Sequence, residues 1–218
     1  VLARYGRLVQ PAAWQPPPAE IEALQALLHR LDAVEADLLR EQNRQEKAQV
    51  VTQPDPVNQS LQQHIAFLEQ EAARLQTAIH DHIDRHPGLR QDRDLLRSIP
   101  AVGDKTAQRL LAILHSRAFQ SADQVTAFLG LVPVECQSGS SLHRRPRLSK
   151  AGAPRLRAAL YMAAVVATRY NPHIRALYER LLARGKAKMA ALGAAMRKLV
   201  QLAFGVLKHQ QPYQTDWT

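Results

Sequence analysis

The sequence predicts an all-α protein: a long coiled-coil hairpin of helices followed by a compact helical domain. Three observations carry that expectation. Two long stretches repeat apolar residues at three- and four-residue intervals. The prolines fall between periodic stretches rather than within them. Beyond the linkers, only Val132 to Pro146 lacks a helical period, and it reads as loop or short strand.

Residues 1–18 read as a helix end, Val1-Leu-Ala-Arg-Tyr-Gly, then a linker stiffened by Pro11, Pro16, Pro17 and Pro18 with Trp14 available as an anchor. The chain starts directly in helix-like sequence, so this segment is expected to close a preceding domain. Residues 19–88 form the predicted hairpin. Ile21, Leu24, Leu28, Leu31 and Leu38 make its first stripe, which Glu35 interrupts. Thr52-Gln-Pro-Asp-Pro-Val57 breaks it, and Leu61, Ile65, Leu68, Ala72, Leu75 and Ile79 make the second stripe at heptad spacing. Narrow stripes bury little surface, so the pair is expected to dimerise or assemble further. A plain helical bundle packed on the second half is the alternative.

Residues 89–209 are expected to hold short helices. They run from Gln91 to Arg97, Asp104 to Leu114, Ala122 to Phe128, Pro154 to Arg169, Pro172 to Ala183 and Lys188 to His209. Pro154 and Pro172 stand where a helix start tolerates a missing N–H. Residues 210–218 read as a polar, frayed tail.

Charge divides the chain. Up to Leu142 there are 14 Lys and Arg against 17 Asp and Glu; from His143 onward 15 basic residues face only Glu179 and Asp216. A basic half of this kind points to a polyanionic partner, nucleic acid before any other. One cysteine, Cys136, excludes an internal disulfide, suits a reducing cytoplasm, and reads as a small apolar side chain. No uninterrupted apolar run reaches membrane-spanning length, so no membrane partner is expected.

Two segments carry chemistry. Ser98-Ile-Pro-Ala-Val-Gly-Asp-Lys-Thr-Ala107 has the pattern of a helix-hairpin-helix. Such a turn directs the N–H groups of Val102, Gly103 and the following residues at a phosphate, with Lys105 and Thr106 beside them. Ala101 stands where that motif usually has its first glycine, and a helical corner with no ligand is the plainer reading.

The second segment, Ser138 to Gly152, combines hydroxyls, glycines and cations. A serine nucleophile needs a base or cationic surroundings, plus positive charge for the developing oxyanion. Gly139 permits close backbone approach, and Arg144, Arg145, Arg147, Lys150, Arg155 and Arg157 supply charge. A phosphate-binding loop whose serines only donate hydrogen bonds fits the same residues. Ser140, Ser141 and Ser149 compete with Ser138. Gly185-Lys-Ala-Lys188 and Arg197-Lys198 are further positions suited to phosphate contact. The cluster His80-Asp-His-Ile-Asp-Arg-His86 has metal-ligand types but reads as a solvated helix face, and Tyr161 reads as a packing residue.

Five blocks occur in order: Ile99-Pro-Ala-Val-Gly103, Gly130-Leu-Val-Pro133, Gln137-Ser-Gly139, Leu148-Ser-Lys-Ala-Gly152, and Leu156-Arg157 with Leu160-Tyr161. Together they resemble the C-terminal domain of transposases of the IS116/IS110/IS902 type, from about Leu95 to His209. The resemblance implies a DNA recombinase in which Ser138 is the nucleophile. It also implies a structured guide RNA that pairs with DNA, and a coiled coil leading from an RNase H-like domain. That domain's acidic residues would hold divalent metal, Mg, and would lie upstream of Val1. No cofactor is expected in this chain, which is expected to bind nucleic acid without cleaving it unaided. The alternative is a non-enzymatic helix-hairpin-helix module.

Overall fold

The computed structural model describes residues 2–10, 16–50, 54–138, 142–149 and 151–215. Among these are nine helices and one two-stranded sheet, so the all-α expectation holds. The helix α1 (Leu2–Val9) precedes a long pair, α2 (Ala19–Val50) and α3 (Asp55–Asp84). The two run antiparallel. His82 Nε2 lies 2.7 Å from the Glu20 carbonyl at one end, and Glu41 approaches His64 nearer the other.

Ile21, Leu24, Leu28 and Leu31 of the first apolar stripe share one core with Leu68, Leu75 and Ile79 of the second. The expected interruption at Glu35 does not break the stripe, because Val34 takes the buried position at 1% exposure. Glu35 faces outward instead, 3.4 Å from Lys105 Nζ. Glu41 sits buried toward the far end of α2, paired with Arg44 at 2.6 Å.

The pair continues into the second half without a break in the core. After α3, His86 turns the chain and Pro87 opens α4 (Pro87–Arg97), four residues earlier than the periodicity indicates. The turn Ser98 to Gly103 leads into α5 (Asp104–Leu114). There Arg109 reaches back to Asp32 on α2 at 2.6 Å, both side chains largely enclosed, and Gln25 Nε2 donates to the Ala112 carbonyl at 3.1 Å. A pair this shielded is costly to break from one side, since the remaining charge stays buried without its partner.

The helix α6 (Ala122–Phe128) is capped by Ser121, whose hydroxyl accepts from the Gln124 N–H. It ends at Gly130, which takes a left-handed φ of 67°. Gly130 N–H donates to Ala127 O and Leu131 N–H to Thr126 O, a paired arrangement that satisfies the last free carbonyls of the helix. The ribbon β1 (Pro133–Ser138) and β2 (Leu142–Leu148) follows, then α7 (Pro154–Tyr170), α8 (Pro172–Ala183) and α9 (Lys188–His209).

By length and composition α9 matches a membrane span, with a mean hydropathy of 1.4, yet half of that window is buried inside the fold. Its Ala195, Leu199, Val200, Ala203 and Val206 are fully enclosed, and it touches α4, α6, α7 and α8. That packing accounts for its hydropathy.

The tail differs from the frayed expectation. Tyr213 N–H donates to the Ser98 hydroxyl at 2.7 Å, and Gln210 Nε2 donates to Asp92 at 2.8 Å. Residues 216–218 lie outside the described residues.

Candidate functional site: a serine-bearing ribbon on a basic helical face

The register of the ribbon decides which positions share a face. Val134 pairs with Arg147, Cys136 with Arg144, Gln137 with His143 and Ser138 with Leu142. One residue separates Val134 from Cys136, whereas two separate Arg144 from Arg147, so β2 carries an extra residue at Arg145-Pro146. A bulge there suits Pro146, which has no N–H to give to the ladder. Because strand positions alternate faces, an unbulged β2 would put positions 144 and 147 on opposite sides. The extra residue brings positions 138, 144 and 147 onto one face. Ser138 is the last residue of β1, next to 139–141.

The root of the ribbon is fixed at several points. Ser149 N–H donates to Val132 O at 3.0 Å. Leu148 packs on α9 where Gly193 leaves room: a Cβ on Gly193 would stand 3.4 Å from a Leu148 methyl. Gly152 has φ +73°, and a Cβ there would come within 2.1 Å of the Phe128 carbonyl oxygen, so only glycine fits. Arg157 Nη1 donates to Leu129 O at 3.2 Å and also to Ala151 O.

The remaining expected residues fall as follows. Arg147 is exposed on β2. Arg155, exposed at the start of α7, reaches Asp32 O at 3.4 Å beside a cleft of about 440 Å³ between α2, α5 and α7. Arg157 spends its guanidinium on two protein carbonyls. Arg144 and Arg145 have their backbones in β2, but their side chains, like that of Ser138, lie outside the described residues, as do Gly139 and Lys150 entirely.

At the Ser98–Ala107 segment, Val102 and Thr106 are buried at 5% and 8% exposure, and Lys105 approaches Glu35. Gly103 is exposed and precedes α5 with extended backbone (φ −86°, ψ 177°), and Asp104 sits 3.0 Å from Arg97. Ala101 takes φ 79°, the left-handed conformation for which its motif position usually carries glycine.

Two polar clusters leave no mark on the sequence pattern. Asn171, which reads only as a helix break, is fully buried. Its Oδ1 accepts from the Ile174 N–H at 3.2 Å and from the Tyr213 hydroxyl at 3.2 Å, and its Nδ2 donates to Pro100 O at 3.5 Å. Asp92 lies 2.8 Å from His115 Nε2. Burial pushes the Asp92 carboxyl up, but hydrogen bonds from His115 and Gln210 outweigh it and hold the group below its ordinary value. The exposed cations Arg180 on α8 and Arg184 just beyond its end are also absent from the expected set, although they stand four residues apart. Arg197, in contrast, is paired with Asp123 at 2.9 Å.

A hydroxyl position and cationic positions share one face of a ribbon rooted on an α-helical domain rich in Arg and Lys. The family model described as Transposase IS116/IS110/IS902 family matches residues 93–179. The chain is 32% identical over 216 residues to the pilin gene-inverting proteins of Moraxella lacunata and Moraxella bovis, across 98% of its own length. It is 27% identical over 162 residues to an uncharacterized 43.6 kDa protein of insertion element IS110 from Streptomyces coelicolor, covering 74% of this chain and 39% of that protein. The chain spans 65% of the length of the pilin gene-inverting proteins it matches. Together these matches support a transposase of the IS116/IS110/IS902 type.

Proposed function

We propose that this chain is the DNA-binding, serine-bearing half of a recombinase that moves DNA segments under the direction of a guide RNA. The observation that carries the reading is the bulged ribbon, which sets positions 138, 144 and 147 on a common face. In this reading the Ser138 oxygen bonds to a backbone phosphorus as one phosphorus–deoxyribose oxygen bond breaks. The serine proton goes to a base, and the leaving oxygen ends as a hydroxyl. The phosphodiester energy is kept in the serine linkage for rejoining. Arginines on the same face offset the charge that builds on the phosphoryl oxygens.

Among the described residues no group of three or more His, Cys, Asp or Glu is arranged to hold a metal ion. The His80–His86 segment instead uses His82 and His86 in hydrogen bonds to backbone carbonyls. In this reading the chemistry of this chain is that of its serine and arginines. Divalent-metal chemistry is assigned to an acidic domain outside this sequence, and this chain on its own binds DNA without joining it. The long pair α2–α3 is assigned to self-association, supported by exposed Leu39, Val50, Val57 and Phe67 along it.

The decisive experiment is Ser138→Ala in a protein that also carries the acidic domain. Abolished recombination with retained DNA binding, together with a covalent DNA adduct mapped to Ser138 in the unaltered protein, is the expected result. Unchanged recombination would remove the nucleophile and leave a nucleic-acid-binding module. Metal-dependent strand transfer by this chain alone would overturn the division of labour.

A further inference from the structure

We infer that the corner between α8 and α9 is a second phosphate-binding surface, separate from the ribbon and serving the same nucleic acid. This rests on the reading of the chain as nucleic-acid-binding. Every residue from 183 to 190 is exposed. Arg180 lies in the last turn of α8 and Arg184 immediately follows its end, and Lys186 and Lys188 come next across the turn. Among the described residues none of the four has an ion-pair partner, in contrast to Arg93, Arg109 and Arg197, which do. α9 has no acidic residue, and on α8 only Glu179 opposes the cations.

The corner is a fixed platform. Gly185 N–H donates to Leu182 O at 2.8 Å and Lys186 N–H to Leu181 O at 3.0 Å, closing α8 with its last carbonyls satisfied. The cations are therefore presented from a defined backbone. α8 has little need of them for packing: Ile174 is its one fully buried side chain.

The position relative to the ribbon makes the surface useful. Lys188 precedes Gly193 by five residues, about 7.5 Å along the axis of α9, and Gly193 is where Leu148 seats the ribbon. Along the axis of α9 the corner thus lies close to the seat of the ribbon, within reach of a phosphate backbone held there. Sequence-independent phosphate binding is the chemistry these four cations offer.

The test compares the chain with two double variants, Arg180→Gln/Arg184→Gln and Lys186→Gln/Lys188→Gln. Binding to a labelled DNA duplex and to an RNA hairpin of equal length is measured across a fourfold range of salt. Each cation that no longer neutralises a duplex phosphate lowers the slope of log affinity against log salt by about 0.9. A double variant with two cations removed should therefore show about tenfold less attenuation over that range, and weaker binding at low salt. A shallower slope with DNA but not RNA assigns the corner to DNA, the converse assigns it to RNA, and both support the surface. Arg40→Gln/Arg74→Gln, on the long helical pair, should leave the slope in place.

Unchanged slopes in both corner variants, with a reduced slope in Arg147→Gln, would overturn the corner alone. No salt-dependent binding by the parent chain would overturn the nucleic-acid reading beneath it. Far-ultraviolet circular dichroism melts establish that the variants, all at exposed positions, are folded.

Discussion

The hydroxyl of Tyr213 donates to the buried amide oxygen of Asn171 across 3.2 Å, and His173 Nδ1 stands 2.6 Å from the same hydroxyl. Asn171 in turn caps α8 and reaches the Pro100 carbonyl. The tail, the α7–α8 junction and the α4–α5 turn therefore meet at one polar centre. Tyr213→Phe should lower unfolding free energy by about 1 kcal/mol, the net worth of one such hydrogen bond. Asn171→Ala, which also removes a helix cap, should cost about 2 kcal/mol. Urea unfolding measures both, and an Asn171→Ala cost no larger than that of Tyr213→Phe would contradict the shared centre.

Gly152→Ala should destabilise the chain by more than the roughly 1–2 kcal/mol typical of a left-handed alanine, because the new methyl meets the Phe128 carbonyl. The damage should be local. Amide exchange should quicken in β1 and β2 before it does in α2 and α3. Equal quickening throughout would mean that this close approach does not govern the ribbon root.

Ala101→Gly should act in the opposite direction. At φ 79° alanine is strained, and relief of that strain outweighs the extra freedom glycine has in the unfolded chain. A gain of about 0.5 kcal/mol in thermal or urea unfolding is expected on that balance. A penalty above about 1 kcal/mol would show that the Ala101 methyl matters more for packing than the backbone does.

Arg157→Lys separates two roles. A lysine reaches one carbonyl where the guanidinium bridges Leu129 and Ala151. The expected result is faster amide exchange in the ribbon with an unaltered salt slope for DNA binding. A slope lower by about 0.9 would instead make Arg157 a phosphate-binding side chain.

Asp92 gives a pH dependence of defined sign. Its folded carboxyl holds a proton less tightly than in the unfolded chain, so its bonds to His115 and Gln210 stabilise the fold above the ordinary carboxylate range. The contribution fades as pH falls below about 3.9. Asp92→Asn should flatten the acid limb of stability against pH. An acid limb identical to the parent's would show that other carboxylates dominate it.

The long helices are legible because heptad spacing needs only local sequence, and Leu68, Leu75 and Ile79 share one core with the first stripe. Val34 escapes the pattern because the conspicuous charge of Glu35 hides a one-residue shift that keeps the stripe intact. The ribbon is only half visible. Pro146 and three arginines argue against a regular strand, and the bulge that reconciles them is a property of paired strands rather than of either alone. Arg157 cannot be told from its neighbours by sequence, since what distinguishes it is a pair of carbonyls brought close by the fold. The Tyr213–Asn171 hydrogen bond joins residues 42 apart and leaves no periodic trace.

The Arg109–Asp32 pair has a geometric consequence. It clamps α2 to α5 at Asp32, and the 18 residues of α2 from there to Val50, about 27 Å of helix, run on beside the first part of α3 as a stiff outrigger. A partner held at its tip would be tied to α5 through Arg109 and Asp32. The long helical pair works as a ruler as much as a handle.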